Sequence, residues 1–183
     1  MQKLVRTFIC LLLMPVFPAL AQVAATPPNI VFIFADDLGY GDLSSFGSTT
    51  IDTPRIDSLA QDGIRLTDFY AASPVCSPSR ASLLTGRYAS RMGIRHVFMD
   101  DSPDGMPPSE ITLAEHLQAA GYRTGLVGKW HLGHREPFMP WNQGFDEFHG
   151  VPYSNDMGNF FFYHNREMDR TGAIPGWPLL TLF

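Results

Sequence analysis

The stretch Thr112–Gly133, TLAEHLQAAGYRTGLVGKWHLG, decides how this chain is read. Thr112 followed three residues later by Glu115 is a capping box, in which a hydroxyl and a carboxylate satisfy backbone N–H groups that open a helix. Leu113, Leu117 and Ala120 line one face of that helix, and Gly121 closes it. Tyr122–Val127 is then expected as a strand, with the polar triplet Lys129-Trp130-His131 just beyond it. Helix, glycine, strand and a polar cluster after the strand form the repeating unit of an α/β protein.

The same unit can be traced backwards. Asn29–Ala35 (NIVFIFA) is a continuous apolar run, expected as a strand buried on both faces, as in a parallel sheet. Asp36-Asp37 follows directly, and 38–47 is a loop rich in Gly and Ser. Thr53–Gly63 is predicted as a helix, with Thr53 as N-cap, Pro54 in the first turn and Gly63 at the end. Ile64–Ala71 is expected as a strand, and a second helix should start near Ser77, with Pro78 at its first position, and run to Gly86. Met99–Pro108 is an acidic, proline-rich loop. From Trp141 onward the composition points mainly to loop. Strand, helix, strand, helix, strand implies an α/β fold with a parallel sheet.

Residues 1–21 are expected to be a secretory signal peptide. Lys3 and Arg6 precede an apolar run from Phe8, and Ala19-Leu20-Ala21 offers a cleavage site that puts the mature start near Gln22. The run is short and broken by Pro15 and Pro18, and no other segment has the roughly 20 apolar residues a membrane span needs. The mature protein is therefore expected to be exported, periplasmic or extracellular, and free of the membrane. Of two cysteines, Cys10 leaves with the signal, so Cys76 remains alone in an oxidising compartment without an internal partner. Ser77, Ser79 and Arg80 around it are not core residue types. The net charge is −5, more negative once Lys3 and Arg6 are removed, which argues against nucleic acid as a partner. The chain stops in the apolar stretch PGWPLLTLF, so 22–183 is expected to be the N-terminal part of a larger domain.

Ligands of open α/β sheets bind beyond the carboxyl ends of the strands. Three polar clusters fall at such ends or in nearby loops. Asp36-Asp37 offers two hard oxygen donors suited to Ca²⁺ or Mg²⁺, or else an exposed turn with two solvated acids. Cys76 precedes a helix start, where a thiol is acidified, and Arg80 one turn on can cover the same face or simply pair with a surface acid. Lys129 and His131 face one way if the chain stays extended, with Trp130 packing on the other side.

Together, Cys76, Pro78, Ser79 and Arg80 followed by Leu84-Thr85-Gly86 resemble the signature of the type I, formylglycine-dependent sulfatases, arylsulfatase-like members included. PNIVFIFADDLGYGDL (28–43), GYRTGLVGKWHLG (121–133) and GFDEFHGVPYSND (144–156) extend the resemblance from about Pro28 to about Asp156. It implies an alkaline-phosphatase-like fold: a mixed, mainly parallel sheet flanked by helices, of which this chain holds the N-terminal part. It also implies that Cys76 is oxidised to formylglycine (3-oxoalanine) by a formylglycine-generating enzyme. One hydroxyl of the hydrated aldehyde attacks the sulfur of a sulfate ester, and the second drives elimination of sulfate. The substrate class is a sulfated small molecule or carbohydrate.

By the same resemblance, Asp36, Asp37 and the residue derived from Cys76 would ligate Ca²⁺. Arg80 and Lys129 would hold formylglycine and sulfate oxygens, His131 would bond a formylglycine hydroxyl, and Ser154 would be a substrate-site serine or bond loop backbone. The family draws its remaining calcium ligands, a further His and a further Lys from a second half that this chain lacks. Some relatives with this cysteine motif cleave phosphonates or phosphodiesters, so a phosphate or phosphonate ester hydrolase, or a silent fragment, are the alternatives. His96, His116, His149 and His164 show no metal-ligand spacing and are expected in loops or at the surface. His134 and Arg135 are expected in a solvated turn, 160–163 (FFFY) in the core, and Asp42 should fix its loop through backbone N–H groups.

Overall fold

The computed structural model describes residues 26–157 and 161–169. The expected signal peptide, Phe160 and the C-terminal apolar stretch lie outside the described residues. Two units separate at Ala35/Asp36. In the first, 26–35 has no assigned strand, and Ile30, Val31, Phe32 and Ile33 are exposed. The expected buried strand at Asn29–Ala35 is therefore not formed: a strand needs a hydrogen-bonded neighbour, and no ladder of the described residues includes this run.

Among its described residues the second unit contains three α-helices, α1 (Pro54–Asp62), α2 (Cys76–Thr85) and α3 (Leu113–Ala119), and four strands, β1 (Gly125–Lys129), β2 (Glu147–Val151), β3 (Phe162–His164) and β4 (Glu167–Asp169). The strands form one sheet in sequence order, with β1–β2 parallel and β2–β3 and β3–β4 antiparallel. One expectation is corrected. Residues 64–71 are not a strand, and Ile64, Phe69 and Tyr70 are exposed, again with no paired neighbour. Beyond Trp141 most described residues lie outside strands, as expected, yet the segment supplies three of the four strands found among the described residues. His149 and His164 accordingly lie in strands, and His116 lies in α3. Phe162 and Tyr163 are part-buried, and Phe161 is 36% exposed, so the aromatic run lies at the margin of the core.

The capping box at α3 forms as read: the Thr112 N–H donates to Glu115 Oε2 (2.7 Å) and the Glu115 N–H to Thr112 Oγ1 (3.1 Å). Thr112 Oγ1 also donates to the Gln143 carbonyl (2.8 Å), which ties the helix start to the segment before β2. A second clamp sets the β1–β2 register. Thr124 N–H donates to Asp146 Oδ2 (2.8 Å), Thr124 Oγ1 donates to the Gly144 carbonyl (2.6 Å), and Gln118 Nε2 holds Asp146 Oδ1 (2.7 Å). The strands then approach very closely at Gly128↔Gly150, where a Cβ on Gly150 would lie 1.9 Å from the Gly128 carbonyl oxygen. Only glycine fits there.

At α1, Asp57 gathers Ser44 Oγ (2.5 Å), Ser45 N–H (2.9 Å) and Thr53 Oγ1 (2.9 Å), which anchors the helix to the preceding loop. Asp42 takes the Gly39 N–H (2.6 Å) as expected. The core is built from Ala81, Ala89, Met92, Ile94, Phe98, Met106, Trp130, Leu132 and Phe148. It sits between α2, the segment after it and the end of β1, so the residues following Lys129 are fixed by buried packing rather than by solvent-facing loop.

Candidate active site

Helix α2 begins one residue earlier than expected, at Cys76 with Val75 as N-cap, so Pro78 occupies the third helical position rather than the first. Proline is still compatible there, since the N–H groups of the first turn have no intrahelical acceptor. Ser77, expected outside the core, is fully buried: its hydroxyl accepts the Phe98 N–H at 3.1 Å. Ser82 does the same for the Ala89 N–H at 3.0 Å. These two bonds dock α2 by its serine face and leave Cys76 half-buried at the opening turn.

From there the residues converge. Lys129, the last residue of β1, places Nζ 3.3 Å from Cys76 Sγ and 2.6 Å from Asp36 Oδ2. Arg80, one turn into α2, donates Nη1 to the Lys129 carbonyl (2.7 Å) and lies 3.5 Å from the same Asp36 oxygen through Nη2. The Arg80 and Lys129 side chains are 13% and 12% exposed and the Asp36 side chain 32%, so the cations are shielded while the acid they share still meets solvent. Burial works to raise the Asp36 pKa, but the Lys129 hydrogen bond and the charges of Lys129, Arg80 and His131 outweigh it and hold the carboxyl below its ordinary value.

His131 belongs to the cluster by a route the spacing did not foresee. Strand β1 stops at Lys129, and His131 takes a left-handed backbone (φ 61) instead of continuing the alternation. Trp130 does pack into the core, with Nε1 donating to the Phe138 carbonyl (2.9 Å). His131 is itself buried, with Nε2 2.8 Å from the Phe98 carbonyl and no hydrogen-bond partner on Nδ1 among the described residues. Burial, reinforced by the positive charges of Lys129 and Arg80 and opposed by the Phe98 carbonyl, lowers its pKa to about 4. A neutral imidazole therefore stands beside two cations.

Ser154 is buried at the margin of this cluster, its hydroxyl bonded to Asp156. The Asp156 carboxyl is held below its ordinary value first by that bond, and its charge also reaches Lys129 and His131. Asp156 and the Phe98 carbonyl are the two participants that sequence reasoning missed. Phe98 acts through its backbone and leaves no signal in the sequence; Asp156 stood in a motif but had no spacing relation to the other acids. His134 is half-buried and stacks edge-on against Tyr153 (5.5 Å), which corrects its placement in a solvated turn.

Asp37 is brought beside the cluster only by adjacency. It is exposed, with a left-handed backbone (φ 53). A calcium shell needs about six to eight oxygens. Among the described residues no three His, Cys, Asp or Glu side chains come together, and Asp36 Oδ2 is shared by two cations. The described residues alone do not fit that ion. What the cluster can do chemically is hold an anionic group between Arg80 and Lys129, against a nucleophile at position 76 and beside a neutral imidazole.

Comparison with known proteins gives this geometry its context. The Sulfatase family model matches residues 28–170. The chain belongs to the sulfatase family. It is 52% identical to arylsulfatase G of Rattus norvegicus over 142 residues, covering 78% of this chain and 27% of the relative. It is 54% identical to arylsulfatase A of Homo sapiens over 137 residues, covering 73% and 27%. A solved structure from work on the metabolism of multiple glycosaminoglycans by Bacteroides thetaiotaomicron superposes with a TM-score of 0.72 at 40% identity, covering 78% of this chain and 32% of that one. The expected alkaline-phosphatase-like α/β class is thereby shown, in partial form. This sulfatase chain spans about a quarter of the length of the two arylsulfatases.

Proposed function

We propose that this sulfatase chain carries the nucleophile side of a site that hydrolyses sulfate esters of aryl or carbohydrate type. The observation that carries the reading is the convergence of Cys76, Arg80 and Lys129 on one half-buried point, with Lys129 Nζ 3.3 Å from Sγ. Sulfuryl transfer places negative charge on peripheral oxygens, and preorganised cations in a partly water-excluded site stabilise that charge most. Arg80 supplies a planar fork, held by Asp36 and the Lys129 carbonyl, and Lys129 a point charge, held by Asp36.

Converted to formylglycine by a generating enzyme, position 76 would offer two hydroxyls on one carbon, one for attack on sulfur and one for expelling sulfate. His131, neutral because it is buried, has Nε2–H tied to the Phe98 carbonyl, so its Nδ1 lone pair can accept a hydrogen bond from a hydroxyl at position 76 without adding charge to the cluster. Ser154, held by Asp156, would orient the substrate. Calcium would add Lewis-acid stabilisation of the sulfate oxygens, with Asp36 and Asp37 as two of its donors. The remaining donors would come from the part of the relatives' length that this chain does not span. Export to the periplasm or the exterior belongs to the same proposal. Among the described residues no helix is long and apolar enough to cross a membrane.

The test has two arms. Mass spectrometry of the tryptic peptide Leu66–Arg80 from the native host reads the state of position 76: an aldehyde supports the reading. An intact thiol, in a host that converts another sulfatase, overturns it. Turnover of aryl sulfate against aryl phosphate by the full-length protein then separates the sulfatase from a phosphate or phosphonate ester hydrolase. A second reading, in which this chain alone binds an anion without turnover, is favoured by its covering only 27% of the arylsulfatases' length. Anion binding to the 183-residue chain without hydrolysis would support it.

A further inference from the structure

We infer that Ser77 is a positioning residue for the proposed reaction: it holds the backbone of Phe98 so that His131 keeps Nδ1 unprotonated and free for the group at position 76. This role rests on the function proposed above and adds a residue to it. Ser77 is fully buried, and its hydroxyl oxygen accepts the Phe98 N–H at 3.1 Å. The carbonyl of the same Phe98 lies 2.8 Å from His131 Nε2. A carbonyl oxygen can only accept, so Nε2 carries the ring proton, and in a neutral imidazole Nδ1 then holds a lone pair. Nδ1 is buried with no hydrogen-bond partner among the described residues. A buried acceptor left unpaired costs free energy until a donor reaches it, and a hydroxyl at position 76 is such a donor.

The two bonds form one relay between positions far apart in sequence: Ser77 to Phe98 spans 21 residues and Phe98 to His131 spans 33. Phe98 is gripped twice. Its ring is set in the core with Ala81, Trp130 and Leu132, and its N–H is held by Ser77, which limits where its carbonyl can point. The bond made by one ring nitrogen decides what the other can do, so the aim of that carbonyl sets the tautomer of His131. Ser77 follows Cys76 in the first turn of α2. One dipeptide therefore carries both the reacting position and the hold on its imidazole, and a shift of the helix start moves the two together.

Docking of α2 does not by itself account for this arrangement. Ser82, on the same helix, makes an equivalent bond by accepting the Ala89 N–H at 3.0 Å. From Ala89 the bonding continues only into local backbone, its carbonyl accepting the Ile94 N–H at 3.0 Å and the Gly93 N–H. Two buried hydroxyls thus hold α2 in the same way, and of the two it is the Ser77 bond that leads on to an imidazole of the site. Ser82 is the internal control.

The test compares Ser77→Ala, Ser77→Thr and Ser82→Ala in the full-length protein, with turnover normalised to the aldehyde content of the peptide Leu66–Arg80. Ser77→Ala is expected to lower kcat for an aryl sulfate about tenfold or more while KM changes less than about twofold. Ser77→Thr, which keeps the hydroxyl, should restore kcat, and Ser82→Ala should leave it unchanged. Imidazole ¹⁵N spectra of the histidine-labelled protein give a readout that does not need turnover. His131, assigned by its loss in His131→Asn, should be a single Nε2–H tautomer in the unsubstituted protein and in Ser82→Ala, and a mixture in Ser77→Ala. A proton on Nδ1 in the unsubstituted protein, a tautomer indifferent to Ser77→Ala, or equal losses of kcat in Ser77→Ala and Ser82→Ala would each overturn the role. An intact thiol at position 76 overturns the proposed function instead, and the tautomer spectra then decide on Ser77.

Discussion

Lys129 touches a thiol, a carboxylate and, through its own backbone carbonyl, a guanidinium. Removing its ammonium leaves Asp36 with Arg80 alone and takes one of two cations from the point where sulfate charge would build. Lys129→Ala in the full-length protein is expected to lower kcat/KM for an aryl sulfate by about 10²–10³-fold, the usual cost of losing one preorganised donor. A loss below tenfold would remove Lys129 from the reacting centre. His131 makes a different prediction. Its folded pKa, about 4, lies below the ordinary 6.5, so the unfolded chain binds the extra proton more readily between those values. Its contribution is therefore fully present above pH 6.5 and is lost as pH falls through about 4, amounting to roughly 3 kcal/mol at most. Urea midpoints measured from pH 4 to pH 7 should rise with pH in the wild type and flatten in His131→Asn. An unchanged slope would mean that another group titrates.

At the scale of elements, α3 was legible down to its hydrogen bonds because a capping box is local chemistry written in four adjacent residues. Thr112→Ala should lower stability by about 1–2 kcal/mol, since it removes the cap and leaves the Gln143 carbonyl without its donor. Equilibrium denaturation with an unchanged m-value would check this. The strands were read less well, for a physical reason. Asn29–Ala35 and Ile64–Ala71 have the right composition, but a strand exists only through its neighbour, and sequence pattern cannot say whether the neighbour is present. Beyond Trp141, Gly, Asn and aromatics suggested mainly loop, and within it Asp146, Gly150 and Asn165 serve as register locks that composition does not announce. Gly150→Ala should be severe. Its Cβ would enter the Gly128 carbonyl, and the chain should lose cooperative unfolding or fall sharply in Tm. The site was legible as a list of residues rather than as a geometry. The structure brings Arg80 and Lys129 together with Cys76, while His131 joins them through a left-handed turn that no alternation rule produces.

Across the whole molecule, much apolar surface remains open to water: Ile64 is 87% exposed, Tyr70 82% and Val127, on the sheet, 67%. Monomeric proteins rarely leave large apolar areas uncovered. The 183-residue chain is expected to bind a hydrophobic dye such as ANS and to associate as its concentration rises, and a protein of the relatives' full length should do neither. A dye-silent monomer at high concentration would contradict this. The Arg80–Lys129 carbonyl bond, which joins positions 49 residues apart, carries a further consequence. Entropy of closing so long a loop grows only slowly with its length, so the value of the bond rests on how far its two part-buried ends are shielded from water. The guanidinium proposed to grip the ligand is thus also the pin between the first helix turn of the site and the last residue of the first strand. A chain that loosens there on heating gives up its anion grip in the same event, so a bound oxyanion should act as a splint, raising the unfolding temperature most where the pin is intact.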